Sequence, residues 1–220
     1  MRVPLPQVRE GCTLLIDKIR AHAQDARILW NVNRFPGAFL LILLGFEELG
    51  KLLECVQKGA EAERVDAQEI DILNYRDINT KSSHTRKASL STEYIQRGLN
   101  LAGWALRATG IPDALLGKYA DHISAIGKDY MRLRDTLMYV DYEHGTWTRG
   151  RPLDKESLEN DIASLELVAA IVEAGLKGQP SFAAVVDSFT LLEHEMRQKL
   201  PDLIREVIAR YAEWTKTKQP

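Results

Sequence analysis

The sequence predicts an all-α fold of about six helices, in which a short extended or hairpin segment interrupts the helical pattern near residues 139–152. Apolar residues recur at helical spacing along nearly the whole chain, and proline, glycine and asparagine gather at a few short breaks. Hydrophobic residues make up 45% of the 220 positions, enough for a substantial core. Because no repeat or low-complexity linker divides the chain, residues 1–220 are expected to form a single helical domain.

The first two helices have the strongest patterns. Residues 7–30 place apolar side chains on one face, and a break follows at residues 31–34. Pro36 suits the first turn of a second helix, because no helical partner is needed there for the missing N–H. That helix is expected to reach about Gly59. Its apolar run at residues 37–46 predicts burial on all sides, and at about ten residues it is half as long as a membrane span.

The middle of the chain predicts two further helices. Residues 60–77 are charged and weakly periodic, and at most a short helix is expected from Asp66. A third helix is expected at residues 83–106 and a fourth at residues 114–137. The glycine and proline in residues 108–113 indicate the turn between them.

The C-terminal part predicts two more helices. Asp154 is the expected N-cap of the fifth helix, which reaches Leu176. A sixth helix is expected from Ser181, and Pro201 within it predicts a kink or a boundary. Residues 215–220 are expected to form a polar tail.

Composition limits the classes of function. The net charge of -2 carries no global basic signature, so a nucleic-acid site would be a local patch. Cys12 and Cys55 are far apart in sequence and form no CxxC, which favours a reducing compartment. The N-terminus lacks the apolar core of a signal peptide, so we expect a cytoplasmic protein without a membrane segment. No HExxH, Walker or GxGxxG motif is present, so no metal or cofactor is expected.

The apolar run of the second helix ends abruptly in charged residues. Glu47 and Lys51 fall on one stripe with Glu54 and Lys58, in the order that favours i,i+4 ion pairs. The simplest interpretation of this stripe is a set of solvated salt bridges. Glu48 lies off the stripe beside apolar side chains, so it is either paired with a base from another helix or part of a site.

A basic segment opens the third helix. His84 and Lys87 lie three residues apart on one face, Arg86 lies beside them, and Arg76 precedes the polar loop. Free N–H groups at a helix start, with added cations, predict an anion site for phosphate. The alternative is a solvated basic loop that contains a histidine.

An aromatic and charged segment, residues 134–147, follows the fourth helix. Tyr139 and Asp141 would project from the same side of an extended chain. Arg134 lies in the last turn of the helix, where a cation is favoured for structural reasons alone. His144 is either a catalytic base or an ordinary loop residue.

The three motifs together, EELGK, HTRK and LMYVDYEHGTW, resemble the AbiV-like abortive-infection proteins of the HEPN superfamily, over roughly residues 39–147. The resemblance implies a HEPN-like helical bundle, usually a homodimer, and a role in bacterial antiphage defence by shutdown of host processes. The residues that match the motifs are Glu47, Glu48, Lys51, His84, Lys87, Arg134, Tyr139 and Asp141.

Many HEPN relatives are metal-independent endoribonucleases. Their usual signature is an arginine, then four to six intervening residues, then a histidine. This sequence lacks that spacing, because seven residues (77–83) separate Arg76 from His84 and nine (135–143) separate Arg134 from His144.

If the protein cuts tRNA, mRNA or rRNA, we expect His84 to act as base or acid. The phosphate would then lie among Lys87, Arg134 and Arg76, with Lys51 and Asp141 nearby. Glu48 would orient His84 or Arg134, Glu47 would support the site, and Tyr139 would bind or stack.

Two other interpretations fit the same residues. The protein is a non-catalytic binding module that grips RNA, a translation component or a phage protein, which the missing arginine–histidine spacing favours. Alternatively, it is a plain helical scaffold, in which case Glu48 and His84 lie far apart.

Overall fold

The computed structural model describes residues 2–71, 81–108, 114–138, 141–143, 146–148 and 155–217. Within these ranges lie six helices: α1 Leu5–Asn31, α2 Phe35–Arg64, α3 Lys81–Ala108, α4 Ala114–Met138, α5 Lys155–Gly178 and α6 Phe182–Thr217. The same ranges contain four short strands: β1 Arg2–Pro4, β2 Glu69–Asp71, β3 Asp141–Glu143 and β4 Thr146–Thr148. The predicted all-α bundle is confirmed.

Helix α2 lies at the centre of the bundle and contacts all five other helices. Its apolar run is buried on most sides, whereas Leu40, Leu41 and Leu44 are only half-buried, so the predicted burial on all sides is correct for part of the run. The largest fully buried side chains of α2 are Phe39, Phe46, Ile42, Leu43, Leu49 and Leu52. Pro36 lies in the first turn of the helix, also as predicted.

The segment after α2 differs from the prediction. The helix continues past Gly59 to Arg64, because Ala60 and Ala62 are buried against the core. No helix begins at Asp66, whose φ of 56° is left-handed. Instead β2 pairs antiparallel with β1, and Ile70 lies opposite Val3. These three-residue strands are too short to show an alternating pattern, so the sequence does not predict that they pair.

The structure confirms the predicted hairpin but shows no helix boundary at Pro201. Strands β3 and β4 pair antiparallel with Tyr142 opposite Trp147, which confirms a hairpin within residues 139–152. Helix α6 runs through Pro201 without ending, so the predicted boundary there is wrong. The helix extends to Thr217, three residues into the expected polar tail. Its length compensates for the hydrogen bond that a proline removes.

A buried polar network joins α4 to α5. Asp161 is 0% exposed, and its carboxylate accepts a hydrogen bond from the Tyr119 hydroxyl at 3.0 Å. His122 Nε2 lies 2.8 Å from the other oxygen of Asp161, and Ser164 Oγ lies 2.9 Å from the Tyr119 hydroxyl. Burial raises the pKa of Asp161, although His122 and Tyr119 oppose the shift. The sequence pattern does not predict this network, because its members are far apart in sequence.

The two cysteines, distant in sequence, meet between α1 and α2. Both are free thiols, and each is in hydrogen-bonding contact with the other. The contact with Cys55, together with burial, raises the pKa of the Cys12 thiol. Within the described part of the chain, no helix combines the length and the apolarity needed to cross a bilayer.

The Asp161 network predicts a stability effect. Asp161→Ala is expected to lower the free energy of unfolding by about 2–4 kcal/mol, because it removes the buried acceptor of the half-buried side chains of Tyr119 and His122. Urea denaturation measures the loss. The control is Glu93→Ala, which removes an exposed i,i+4 partner of Arg97 and is expected to change stability by less than about 0.5 kcal/mol. Equal stability of the two variants would contradict a structural role for the network.

Candidate functional site

The candidate site lies where α3 crosses α2 at very short range. A Cβ atom built on Gly50 would overlap the backbone carbonyl oxygen of Lys87, so only glycine permits this approach. The contact places the first turns of α3 against the middle of α2. As a result, His84 and Lys87 lie over Glu47 and Lys51.

Glu47 is the centre of the site. Its side chain is only 7% exposed, yet it has partners from three helices. Oε2 lies 2.7 Å from His84 Nδ1 and accepts a hydrogen bond of 3.2 Å from the Tyr130 hydroxyl. Oε1 lies 3.6 Å from Lys51 Nζ and 3.8 Å from Lys87 Nζ. We call the group of Glu47, Glu48, Lys51, His84, Lys87, Tyr130 and Arg134 the Glu47 cluster.

The electrostatics of the cluster favour an ionised Glu47. Burial opposes the charge of this carboxylate, but the contact with His84 and the charges of Lys51 and Lys87 outweigh it. The pKa of Glu47 therefore lies below its ordinary value of 4.5. Burial and the nearby carboxylate raise the pKa of Tyr130, which keeps its hydroxyl protonated as a donor.

Lys87 is an unusually buried cation. Its side chain is 3% exposed, and Nζ has no hydrogen-bond partner within the described part of the chain. Burial lowers the pKa of Lys87, and repulsion from Lys51 adds to the effect. Glu47 and Glu48 oppose the shift. The ammonium is thus balanced by charges at a distance but lacks a close acceptor.

Glu48 makes different contacts from the ones predicted. Its carboxylate lies 2.8 Å from Lys51 Nζ, and its charge also acts on His22 of α1. The contact with His84, one of the two orienting roles predicted for Glu48, is made by Glu47 instead. The interpretation of Glu47 as part of a solvated stripe is also wrong, because α3 covers it. Lys51 bridges the two carboxylates, so Glu48 is connected to His84 through Lys51 and Glu47.

Helix α4 supplies the third side of the cluster. Its backbone departs from helical geometry at Asp129, with φ -112° and ψ 19°, immediately before Tyr130. The charge of Arg134, one turn further on, acts on the Tyr130 hydroxyl. Tyr130 was not among the predicted residues. Its position four residues before Arg134, on the same helix face, was the signal that would have identified it.

The structure leaves part of the predicted site undescribed. Arg76, Tyr139 and His144 lie outside the described residues. Asp141 lies in β3, where only the strand itself is described. The residues that the structure does bring together are Glu47, Glu48, Lys51, His84, Lys87 and Arg134.

The cluster combines a proton-transfer group with cations. Glu47 Oε2 lies close to Nδ1 of His84, although the contact lacks hydrogen-bond geometry, and the imidazole is about one-fifth exposed (19%). Nε2 is the ring nitrogen left for proton transfer. Lys51, Lys87 and Arg134 carry three formal positive charges against the two of Glu47 and Glu48. An anion is therefore the ligand that the cluster favours. Among the residues that the structure describes, no three His, Cys, Asp or Glu side chains are grouped to hold a metal ion.

Comparison with known proteins identifies a family. The family model HEPN_AbiV, described as AbiV, matches residues 7–172 of this chain, which include the whole Glu47 cluster. No match was found among the curated proteins or among the solved structures.

The contact at Gly50 predicts the effect of one added methyl group. Gly50→Ala is expected to lower the free energy of unfolding by about 1–3 kcal/mol, because α3 must move away from α2. Gly117→Ala in α4 is the matched control, since a Cβ there meets nothing within 4 Å and alanine favours a helix. Urea denaturation compares the two variants. Unchanged stability in Gly50→Ala would show that the close contact does not hold the site together.

The lowered pKa of Glu47 predicts a pH-dependent contribution to stability. A carboxylate whose pKa is lower in the folded state stabilises the fold above its unfolded pKa, and this stability is lost as the pH falls through the folded pKa. Glu47→Gln is therefore expected to cost about 1–3 kcal/mol at pH 7. The difference from wild type is expected to shrink below pH 4.5.

Urea denaturation from pH 7 to pH 3 measures this difference. Glu193→Gln is the control, because its carboxylate is exposed and pairs with Arg197 in the same helix. A Glu47→Gln cost that does not vary with pH would contradict an ionised Glu47.

Proposed function

Because the chain belongs to the AbiV family of HEPN proteins, we propose that it is a bacterial antiphage protein that acts on RNA, with the Glu47 cluster as a metal-independent endoribonuclease site. Family membership itself indicates an abortive-infection, HEPN-type function. We assign the protein to the cytoplasm, where RNA and the translation machinery are present.

One observation carries the proposal. Residues from α2, α3 and α4, which are far apart in sequence, meet around the buried carboxylate of Glu47. A carboxylate, an imidazole and several cations in one place are the groups that metal-free cleavage of RNA requires. Burial of an ion with this many partners is costly for a protein that needs only a stable core, which favours a function for the cluster.

The proposed chemistry is transfer of the phosphoryl group within the RNA. His84 Nε2 takes the proton of a ribose 2′-OH, and the 2′-oxygen attacks the adjacent phosphorus. The bond from phosphorus to the 5′-oxygen breaks, and this oxygen leaves with a proton. The products are a 2′,3′-cyclic phosphate and a 5′-hydroxyl. Lys87 and Arg134 stabilise the charge that develops on the phosphate.

A homodimer would complete this scheme. One His84 serves as the base, and the leaving oxygen needs an acid, which His84 of a second copy would supply. The two copies would also double the local positive charge, which the net charge of -2 for the whole chain does not provide.

A second candidate is a non-catalytic module that binds RNA, a translation component or a phage protein. Two observations favour it. The chain lacks an arginine four to six residues before a histidine, and Glu47 holds His84 in a network that is adequate for structure alone. In this version, the cations of the cluster bind the partner without turnover.

The test is incubation of the purified protein with total bacterial RNA in EDTA. Wild type is expected to cleave RNA and to leave 2′,3′-cyclic phosphate ends. His84→Ala is expected to slow cleavage by roughly a hundredfold or more, the usual contribution of a general acid or base. His194→Ala is the matched control, because this histidine is exposed and its ring nitrogen forms a hydrogen bond with Gln198 of its own helix, α6. Glu48→Ala is expected to retain cleavage, since Glu47 rather than Glu48 holds His84.

The outcomes separate the two candidates. Circular dichroism of each variant confirms that it is folded. Equal cleavage by wild type and His84→Ala would remove His84 from the mechanism. RNA that is retained in a gel-shift assay but not cut would support the binding module. Absence of both cleavage and retention would contradict an RNA site and favour a protein partner.

A further inference from the structure

A cavity of about 500 Å³ lies between α1 and α2, next to the Glu47 cluster. This volume is within the range of small-molecule sites. The cavity has an aliphatic wall from α1, α2 and β2, formed by Val8, Gly11, Leu14, Leu15, Cys55 and Ile70. The proposed RNA chemistry uses none of these residues.

Cations outnumber carboxylates around the cavity. Lys51 and Lys58 each pair with a glutamate, Glu48 at 2.8 Å and Glu54 at 3.0 Å. Lys18 also lines the cavity and forms no salt bridge with any residue that the structure describes. Together with Lys87, four lysines face two glutamates, so the lining has a formal charge of +2.

Lys87 lines the cavity, and its ammonium lacks a hydrogen-bond acceptor within the described chain. Its Nζ is buried and has no hydrogen-bond acceptor within the described chain, and Glu47 Oε1 at 3.8 Å is too far to serve as one. A buried ammonium without an acceptor is unfavourable. An anionic group at the end of the cavity would provide the acceptor and would also relieve the repulsion between Lys87 and Lys51.

The walls define the rest of the ligand. Among the described residues that line the cavity, none is an aromatic residue on which a nucleobase would stack. Leucine, valine and isoleucine instead offer apolar surface that gains free energy when it covers an alkyl chain. The chemistry of the cavity therefore favours an aliphatic body over a nucleotide.

We propose that this cavity binds an amphipathic anion, with an aliphatic chain between α1 and α2 and a carboxylate or phosphate on Lys87. The ligand is a small molecule distinct from RNA. It shares Lys87 with the proposed RNA site, but the existence of the cavity does not depend on whether the Glu47 cluster is catalytic. The binding test contains no RNA, so its result does not depend on the proposed function.

Isothermal titration calorimetry of the full-length protein provides the test, with every probe below its micelle concentration. Octanoate and octyl phosphate are expected to bind, and the tighter of the two identifies the head group. Inorganic phosphate lacks the alkyl chain and octyltrimethylammonium lacks the negative charge. Each is therefore expected to bind at least roughly tenfold more weakly. Equal binding of octyltrimethylammonium, or tighter binding of AMP, would overturn the proposal.

Gly11→Leu tests the location without damage to the fold. A Cβ at Gly11 meets nothing within 4 Å, so a leucine fills the cavity and also favours the helix. The affinity of this variant for octanoate is expected to be lower by roughly tenfold or more. Gly98→Leu in α3 is the matched control, because it is equally open but does not line the cavity, and it is expected to bind as wild type does. Wild-type binding by Gly11→Leu would place the ligand elsewhere and overturn the proposal.

Lys87→Met tests the contact with the anion. Methionine keeps the apolar length of lysine but removes the charge, so octanoate is expected to bind roughly tenfold more weakly. Binding of uncharged octanol is expected to be unchanged. Lys177→Met, an exposed position in α5, controls for the loss of a positive charge. An equal loss for octanoate and octanol in Lys87→Met would contradict a contact between the head group and Lys87.

Discussion

The close contact between α2 and α3 at Gly50 is the constraint on which the rest of the site depends. Two helix backbones approach this closely only where one of them carries glycine, and here the facing group is the backbone carbonyl of Lys87. Since Gly50 lies one turn from Glu47, the crossing delivers His84 and Lys87 directly to that carboxylate. A wider crossing would leave the same residues separated by solvent.

Charge balance follows from this geometry. A carboxylate as buried as Glu47 must be protonated or surrounded by partners, and α2, α3 and α4 all contribute partners. The cluster satisfies Glu47 but not Lys87, whose ammonium has no close acceptor in the described chain. The same crossing that stabilises the carboxylate therefore leaves a buried cation between the cluster and the apolar cavity.

The fold was largely predictable because helices depend on local pattern. The apolar spacing of three and four, and the prolines and glycines at the breaks, defined all six helices to within a few residues, together with the hairpin. The pairing of β1 with β2 was not predictable, because it joins two three-residue segments about seventy positions apart. Pro201 was misleading since a long helix tolerates one lost hydrogen bond.

By itself, the sequence determined the helices, the three charged motifs and the resemblance to the AbiV family, which the family match confirms. Only the tertiary structure decided that Glu47, rather than Glu48, meets His84. A helical wheel places a side chain on a face of its own helix, but it does not identify the helix that covers that face. The same limit applies to the contact of Tyr130, the Asp161 network and the cavity. Each is formed by packing between helices that are distant in sequence.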